Sequence, residues 1–469
     1  MMKLRADSVN SAGPKLTLCE KVGYSLGDFA SVLFWQTISL HLLFFYTDVF
    51  GISSAAAGTM IFVSRIWDGF NDPLMGIIAD RTHTRWGKFR PYLLWMAIPL
   101  ALAAVFTFFT PKLPAVPKLI YAYVTYNLFM MLYTAINIPY SAMLGVLTPD
   151  SSERTVLSSF KYIGAYSGGL VVSAFLLPLV KRIGGTGSSP FGWTVSLAIF
   201  GAFAVVLFWI AFLTTKERVI PSPMQKTSIG RDLKDLFSNR PWLILLFTSL
   251  AMILWVAFRL GVTDYYFRYY IAPGRYEKWV SIFNTFGILG SLIGTALVSW
   301  FAKWLGKKRA FILLFLIANA LTISFFVFTP EHLYLIIVVQ ALGSLAGGAL
   351  TPLIWAMYAD TADYSEWKHG RRATGLVFSA STMSQKFAWA FGAFITGWLM
   401  EWLGFIPNVV QTDRVILGIR LLMSLIPGAA GLIAIFIVFF YALNEKTMKQ
   451  IGEDLQNRRN QSFSDQSHL

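Results

Sequence analysis

The segment Arg65-Ile66-Trp67-Asp68-Gly69-Phe70-Asn71-Asp72-Pro73 places two carboxylates and an amide where one helical face would gather them. Asp68, Asn71 and Asp72 stand at i, i+3 and i+4, the spacing that makes side chains neighbours on a helix. Three oxygen-bearing side chains, two of them anionic, suit a hard monovalent cation, because such ions prefer oxygen ligands. Thr134, in a later apolar run, adds a fourth oxygen. The set has oxygens enough for Na⁺, the favoured ion. H⁺ is the alternative, since it needs only one carboxylate that titrates. A buried Arg65–Asp68 ion pair is the competing account, and it leaves Asp72 unexplained.

Other charges also interrupt apolar runs, where an ionisable group is costly unless paired or hydrated. Lys386, in Ser384-Gln385-Lys386-Phe387, lies too far from either end of its run to snorkel, so it needs a carboxylate or a bound ligand. Asp28, near the start of the first run, is placed either at the water interface or toward a ligand. Arg259 and Asp264 are five apart, a poor helical spacing, and receive no role. The aromatic run Phe44-Phe45-Tyr46 reads as lipid contact or packing. His41, His83, His332, His369 and His468 are scattered without metal-ligand spacing. Neither a nucleophile–base pair nor a P-loop, zinc-protease or dinucleotide fingerprint occurs, so neither an enzyme nor a bound cofactor is expected.

The elements that must position these residues are read from composition. The 469 residues are 56% hydrophobic and only 13% charged, with 40 Phe and 16 Trp, more apolar surface than a soluble chain could hide. Runs of roughly 20 apolar residues span a bilayer. Such runs fall near 24–47, 52–78, 92–110, 119–145, 158–181 and 192–214, and near 242–270, 279–302, 310–329, 333–359, 374–402 and 416–443. The expectation is therefore an all-α membrane protein of twelve transmembrane helices. The polar stretch Thr215–Arg240 divides it into two bundles of six: 1–214, a linker over 215–241, 242–443, and a tail over 444–469.

The net charge of +15 is not read as nucleic-acid affinity, because the basic residues sit between apolar runs. Arg81, Arg85, Lys88 and Arg90 follow the second run, Lys303, Lys307, Lys308 and Arg309 the eighth, and Lys368, Arg371 and Arg372 the tenth. The loops after the first and ninth have no Lys or Arg. The positive-inside rule then puts the even-numbered loops, the linker and both termini in the cytoplasm. The polar start carries no cleavable-signal pattern, and the single Cys19 permits no internal disulfide. The fourth and tenth runs also exit alike, into Asp150, Glu153 and Arg154 in one case and Asp360, Asp363, Glu366 and Arg372 in the other, as a duplicated unit would.

Phe45-Tyr46-Thr47-Asp48, Arg65–Pro73, Arg85-Trp86-Gly87-Lys88-Phe89-Arg90-Pro91, Asn137-Ile138-Pro139-Tyr140 and Ala359-Asp360-Thr361-Ala362-Asp363-Tyr364 together resemble the glycoside–pentoside–hexuronide cation symporters of the major facilitator superfamily. The resemblance runs from about residue 20 to 445. It implies a major facilitator fold in a bacterial inner membrane and symport of a sugar with Na⁺, Li⁺ or H⁺ by alternating access. It maps the family's cation ligands onto Asp68, Asn71, Asp72 and Thr134, and its helix-eleven lysine onto Lys386. A sugar-contacting arginine corresponds to Lys161 or its neighbour Tyr162, and a tryptophan to Trp355. Two sugar-binding aspartates of melibiose-type members are replaced by Val32 and Asn137, which puts galactoside specificity in doubt. Asp28, one turn from Val32, is expected to substitute. Lys161 would favour a substrate bearing a carboxylate or dense hydroxyls. The rival reading is transport of a non-sugar such as a lysolipid, against which the polar Asn137, Lys161, Trp355 and Thr382 argue. A monomer is expected, with the bilayer, a small sugar and a monovalent cation as its partners.

Overall fold

The computed structural model describes residues 16–148, 151–218, 236–369 and 374–466. Asp150, Arg371, Arg372 and residues 219–235 of the expected linker lie outside them. The described chain is helical throughout, its one strand-like contact being the turn between Thr84 and Gly87. The first half contains α1 (Leu18–Phe44), α2 (Ser54–Arg81), α3 (Arg90–Trp95), α4 (Ala97–Thr107), α5 (Ala115–Met143), α6 (Ser151–Gly184) and α7 (Pro190–Thr214). The second contains α8 (Arg240–Tyr266), α9 (Tyr276–Leu305), α10 (Lys307–Ser324), α11 (Leu333–Gly348), α12 (Leu350–His369), α13 (Thr374–Leu403), α14 (Asp413–Met423), α15 (Leu425–Phe439) and α16 (Glu445–Gln466).

Polar residues set the helix starts. Thr17 and Glu20 form a capping box on α1, and Ser53, Ser189, Asn239 and Thr412 cap α2, α7, α8 and α14 through their side chains. The leading helices of the two halves end alike. α1 opens into a wide π turn over Phe45–Val49 and α8 into another over Phe267–Ile271. These turns carry Asp48 and Arg268.

Nine helical segments among the described residues are long and apolar enough to cross a membrane. The expectation was twelve, and the shortfall has physical causes. α2 and α13, with 28 and 30 residues, are long enough, but they carry Arg65, Asp68 and Asp72 and Lys386 respectively, which lower their apolar character. The run expected near 92–110 is broken at Met96 into α3 and α4. Large apolar side chains such as Leu213, Trp304, Phe436 and Phe440 face outward, as lipid contact requires. Phe44, Phe45 and Tyr46 do not: all three are buried, so that run packs the interior.

Within the first half α1 packs on α6 and α7, and α2 on α5; within the second α8 packs on α15, and α9 on α11. The halves meet along α2 with α13, α6 with α9, and α1 with α8. Glu217, just past α7, accepts hydrogen bonds from the backbone of Lys88, Phe89 and Arg90 at 2.9, 2.8 and 2.9 Å. Its carboxylate would lie 2.5 Å from a Cβ at residue 87, where φ is +114°, so only Gly87 fits this turn. α16 packs on α12, with Trp367 Nε1 donating to Asp454 at 2.9 Å.

Candidate functional site between the halves

The i, i+4 spacing of α2 turns Asp68 and Asp72 toward one hydroxyl on α5. Thr134 Oγ1 lies 2.9 Å from Asp68 Oδ1 and 3.1 Å from Asp72 Oδ1. A hydroxyl has one proton to give, so it donates to only one of the two carboxylates at a time. The other oxygens turn to α13, where Lys386 Nζ lies 3.5 Å from Asp68 Oδ2 and directly against Asp72 Oδ2. The ammonium thus bridges both carboxylates from the opposite half of the molecule. Asn71 shares their helix and is half-buried. The Arg65–Asp68 pair raised from the sequence does not form. Arg65 stacks on Trp35 at 4.4 Å, and its Nη1 is buried without a hydrogen-bond partner among the described residues.

A second polar group joins α1, α5 and α6. Lys161 Nζ approaches Asp28 Oδ1 at 4.0 Å and sits 5.5 Å over the Tyr140 ring. Asp28 is therefore paired with a lysine of α6. Asn137, one turn before, accepts a 3.4 Å hydrogen bond from Ser141. Tyr162, the other candidate beside Lys161, is exposed. Trp355 lies in the second half against Tyr358, their rings 5.6 Å apart. Thr382 is exposed, one turn before Lys386 on the same face of α13. The structure therefore gathers Asp68, Asp72, Thr134 and Lys386 in one group and Asp28 with Lys161 in another.

A third group, given no role by sequence reasoning, clasps the halves at the far end of α1. His41 Nδ1 lies 2.7 Å from Asp264 Oδ2, both side chains buried. Asp48 accepts hydrogen bonds from Tyr269 and, at 2.7 Å, from Thr47, and lies 3.6 Å from Arg268 Nη1. Arg268 Nη2 donates to Asn408 Oδ1 at 2.5 Å, and Asn408 Nδ2 donates to the Asp48 carbonyl at 2.9 Å. Glu401 accepts from Ser54 at 3.1 Å, and Glu277 from the Gly187 amide at 2.9 Å. Sequence reasoning set Asp264 beside Arg259, five residues away; its partner is 223 residues away. The available signal was a histidine isolated within an apolar run.

The family described as MFS/sugar transport protein matches residues 23–445. The inner membrane symporter YicJ of Escherichia coli (strain K12) is 36% identical over 460 residues, covering 96% of this chain and 98% of that protein. The putative glycoside/cation symporter YagG of the same strain is 35% identical over 446 residues, covering 95% and 96%. Among solved structures, an inward-facing, unoccupied bacterial homolog of the human lysosomal transporter Spinster superposes with a TM-score of 0.66. It covers 92% of this chain and 97% of that chain at 15% identity, a likeness of fold.

Proposed function

Because the chain belongs to the MFS/sugar transport protein family, we propose that it imports a sugar or glycoside together with Na⁺, through two six-helix bundles that rock about a site between them. Twelve membrane crossings, cytoplasmic termini and a monomeric state complete the proposal. The observation that carries it is the meeting of Asp68, Asp72 and Thr134 with Lys386 across the halves.

That arrangement supports exchange. An ammonium and Na⁺ carry the same charge, so Na⁺ can replace Lys386 between the carboxylates without changing the charge beside them. The Asp68 and Asp72 oxygens and Thr134 Oγ1 then become ligands, and Asn71 stands on the same face to add another. Lys386, displaced, is free to meet a sugar hydroxyl with three N–H donors. Cation binding thereby prepares sugar binding, and linkage requires the reverse to hold equally. Asp28, Lys161, Asn137, Trp355 and Thr382 are proposed as sugar contacts.

The test is uptake of radiolabelled glycosides into proteoliposomes under an imposed Na⁺ gradient or an imposed pH gradient. Accumulation driven by Na⁺ in the absence of a pH gradient is expected. Accumulation driven by the pH gradient alone, unaffected by Na⁺, would reassign the coupling ion to H⁺ and leave the carboxylate pair as a proton site.

A further inference from the structure

The positive-inside rule explains why Lys307, Lys308 and Arg309 follow an apolar run, but not why the fold gathers them around one cavity. This cavity holds about 440 Å³. Lys307, Lys308 and Arg309 line it from the start of α10, Asp360 from α12, and Glu445 and Lys446 from the start of α16. None of the residues proposed for the cation or the sugar lies in its wall.

The charges in the wall do not balance. Lys307 Nζ lies 2.7 and 2.8 Å from the two Asp360 oxygens, so those two charges cancel. Lys308 Nζ donates to the carbonyls of Phe439 and Tyr441, both at 2.8 Å. These bonds fix the ammonium at the end of α15 without a carboxylate to neutralise it. Arg309 and Lys446 are exposed, and neither has an ion pair among the described residues. Glu445 is the other acid in the wall. A Cβ at Gly306, where φ is +81°, would stand 2.9 Å from Glu445 Oε1, so the glycine lets that carboxylate lie over the first turn of α10. Lys308, Arg309 and Lys446 therefore face a single acid, which leaves room for a further anionic charge.

The surroundings separate a lipid from a soluble anion. α9 ends at Leu305, α10 starts at Lys307 and α15 ends at Phe439, so the cavity lies where three apolar helices leave the hydrocarbon. Trp300 and Trp304 of α9 are exposed and stack at 5.6 Å, and Phe436, Phe439 and Phe440 are exposed at the end of α15. Aromatic side chains at this depth meet the boundary between acyl chains and headgroups. Basic pockets between membrane helices receive anionic headgroups. We propose that this cavity binds the phosphate of an anionic phospholipid, with its acyl chains against Trp304 and Phe440. Lys308, Arg309 and Lys446 hold the phosphate by charge-assisted hydrogen bonds, roughly twice as strong as neutral ones. The bound lipid joins the start of α10 to the start of α16. Neither the transported sugar nor its coupling ion enters this assignment.

Lipid binding to the detergent-purified full chain, resolved by native mass spectrometry, tests the site. The probes are phosphatidylglycerol and phosphatidylcholine with the same acyl chains, and glycerol phosphate as the headgroup alone. Phosphatidylglycerol is expected to bind about tenfold more tightly than either of the others. Arg309→Gln combined with Lys446→Gln removes two of the three uncompensated cations, leaves Lys308 on α15, and should erase the preference for phosphatidylglycerol over phosphatidylcholine. Glu445→Gln removes the competing acid and should tighten phosphatidylglycerol about threefold without changing phosphatidylcholine. Folding of each variant is checked by its thermal transition, and Glu445→Gln carries the test if the double variant does not fold. Equal binding of the two lipids, a preference that survives the double substitution, or no tightening in Glu445→Gln overturns the proposal. Glycerol phosphate bound as tightly as phosphatidylglycerol overturns it too, and makes the ligand a soluble phosphate.

Discussion

Two sets of ionic contacts join the halves, and they are built for opposite ends. In the clasp two acids are sealed: the Asp48 side chain is 0% exposed and Asp264, like its partner His41, 2%, whereas Glu401 is exposed and Asp264 Oδ1 has no hydrogen-bond partner among the described residues. Asp48 is also well supplied, with Tyr269, Thr47 and Arg268 on its carboxylate and Asn408 bridging its backbone to Arg268. In the α2–α13 group Lys386 is 31% and Asp72 19% exposed, Asp68 is buried at 3%, and one Thr134 hydroxyl serves two carboxylates. A sealed, well-donated acid holds its partner, because leaving it alone in a low-dielectric interior costs several kcal/mol. A reachable acid short of donors exchanges its partner with water or an ion. The lesson is that the access of water to Asp72 and Lys386, rather than the mere presence of an ion pair, separates a binding site from a latch.

Removing a carboxylate from each set separates them most sharply. Asp72→Asn deletes an anionic ligand and should lower Na⁺-driven accumulation by about a hundredfold or more, since every 1.4 kcal/mol is tenfold and a charged ligand carries several. Exchange of sugar across the membrane without net accumulation should persist. Asp264→Asn should leave Na⁺ affinity within about threefold, because it touches no proposed cation ligand. Equal loss of Na⁺ affinity in both variants, read by Na⁺ titration of uptake, would erase the distinction between latch and site.

Lys386→Ala comes next. It removes the competitor for the cation and leaves two carboxylates facing each other. In Na⁺-free buffer the protein should lose about 1.5–3 kcal/mol of stability, the scale of a hydrogen bond to a charged group, because the pair is partly exposed. NaCl should restore it by mass action, giving a thermal transition that rises with Na⁺ far more steeply than in the wild type. Transport turnover should fall at least about tenfold, because the bound cation has no ammonium to replace it. A transition insensitive to Na⁺ would mean that Lys386 is a strut and not the cation's competitor.

How far these sets were legible in the sequence follows the same division. The α2 face was readable, because i, i+3 and i+4 are fixed by the helix itself. Lys386 was readable as a charge with nowhere to go. Partner choice was not. Arg65 stands three residues before Asp68, yet it stacks on Trp35, a preference set by how α1 packs against α2. Asp28 and Lys161 were separate candidates, and only the packing of α1 on α6 joins them. His41 and Asp264 meet through contacts between the halves that no local pattern encodes. The helices were readable from apolar runs, except where function intrudes: α2 and α13 are less apolar because they carry the charges. Arg259 was weighed only against Asp264, five residues on, whereas it donates to Gln340 of α11.

The clasp itself is tested by Arg268→Gln, with a smaller expected effect than either change at the α2–α13 group. The Asp48 carboxylate would lose its cation but keep Tyr269 and Thr47. A net cost of about 1–2 kcal/mol to the clasped arrangement shifts the population of the opened one by roughly tenfold. With Cys19 replaced by Ser and a cysteine introduced at Ser188, which lies 3.4 Å from Arg268 Nη2, thiol labelling should quicken by about that factor. Unchanged labelling would show that His41–Asp264 and Ser54–Glu401 hold the end shut without Arg268.

The smallest effect belongs to Thr134→Val, which keeps the shape and removes only the hydroxyl. The carboxylates lose a donor at 2.9 and 3.1 Å, and the cation loses one neutral oxygen. A hydrogen bond to a charged group contributes about 1.5–3 kcal/mol, but here Lys386 remains to serve both acids, which offsets part of the loss. Na⁺ affinity should fall about tenfold, and Thr134→Ser should recover most of it by returning the hydroxyl. The hydroxyl has two possible uses that this pair of variants separates. If it is only a donor that tames the acids, Thr134→Val should leave Na⁺ affinity unchanged or tighter, because the ion would meet freer carboxylates. If it is a ligand, affinity falls and the serine restores it. The first outcome would reduce the α2–α13 group to two carboxylates and an amide, a set closer to proton coupling. The second keeps the oxygens that favour Na⁺.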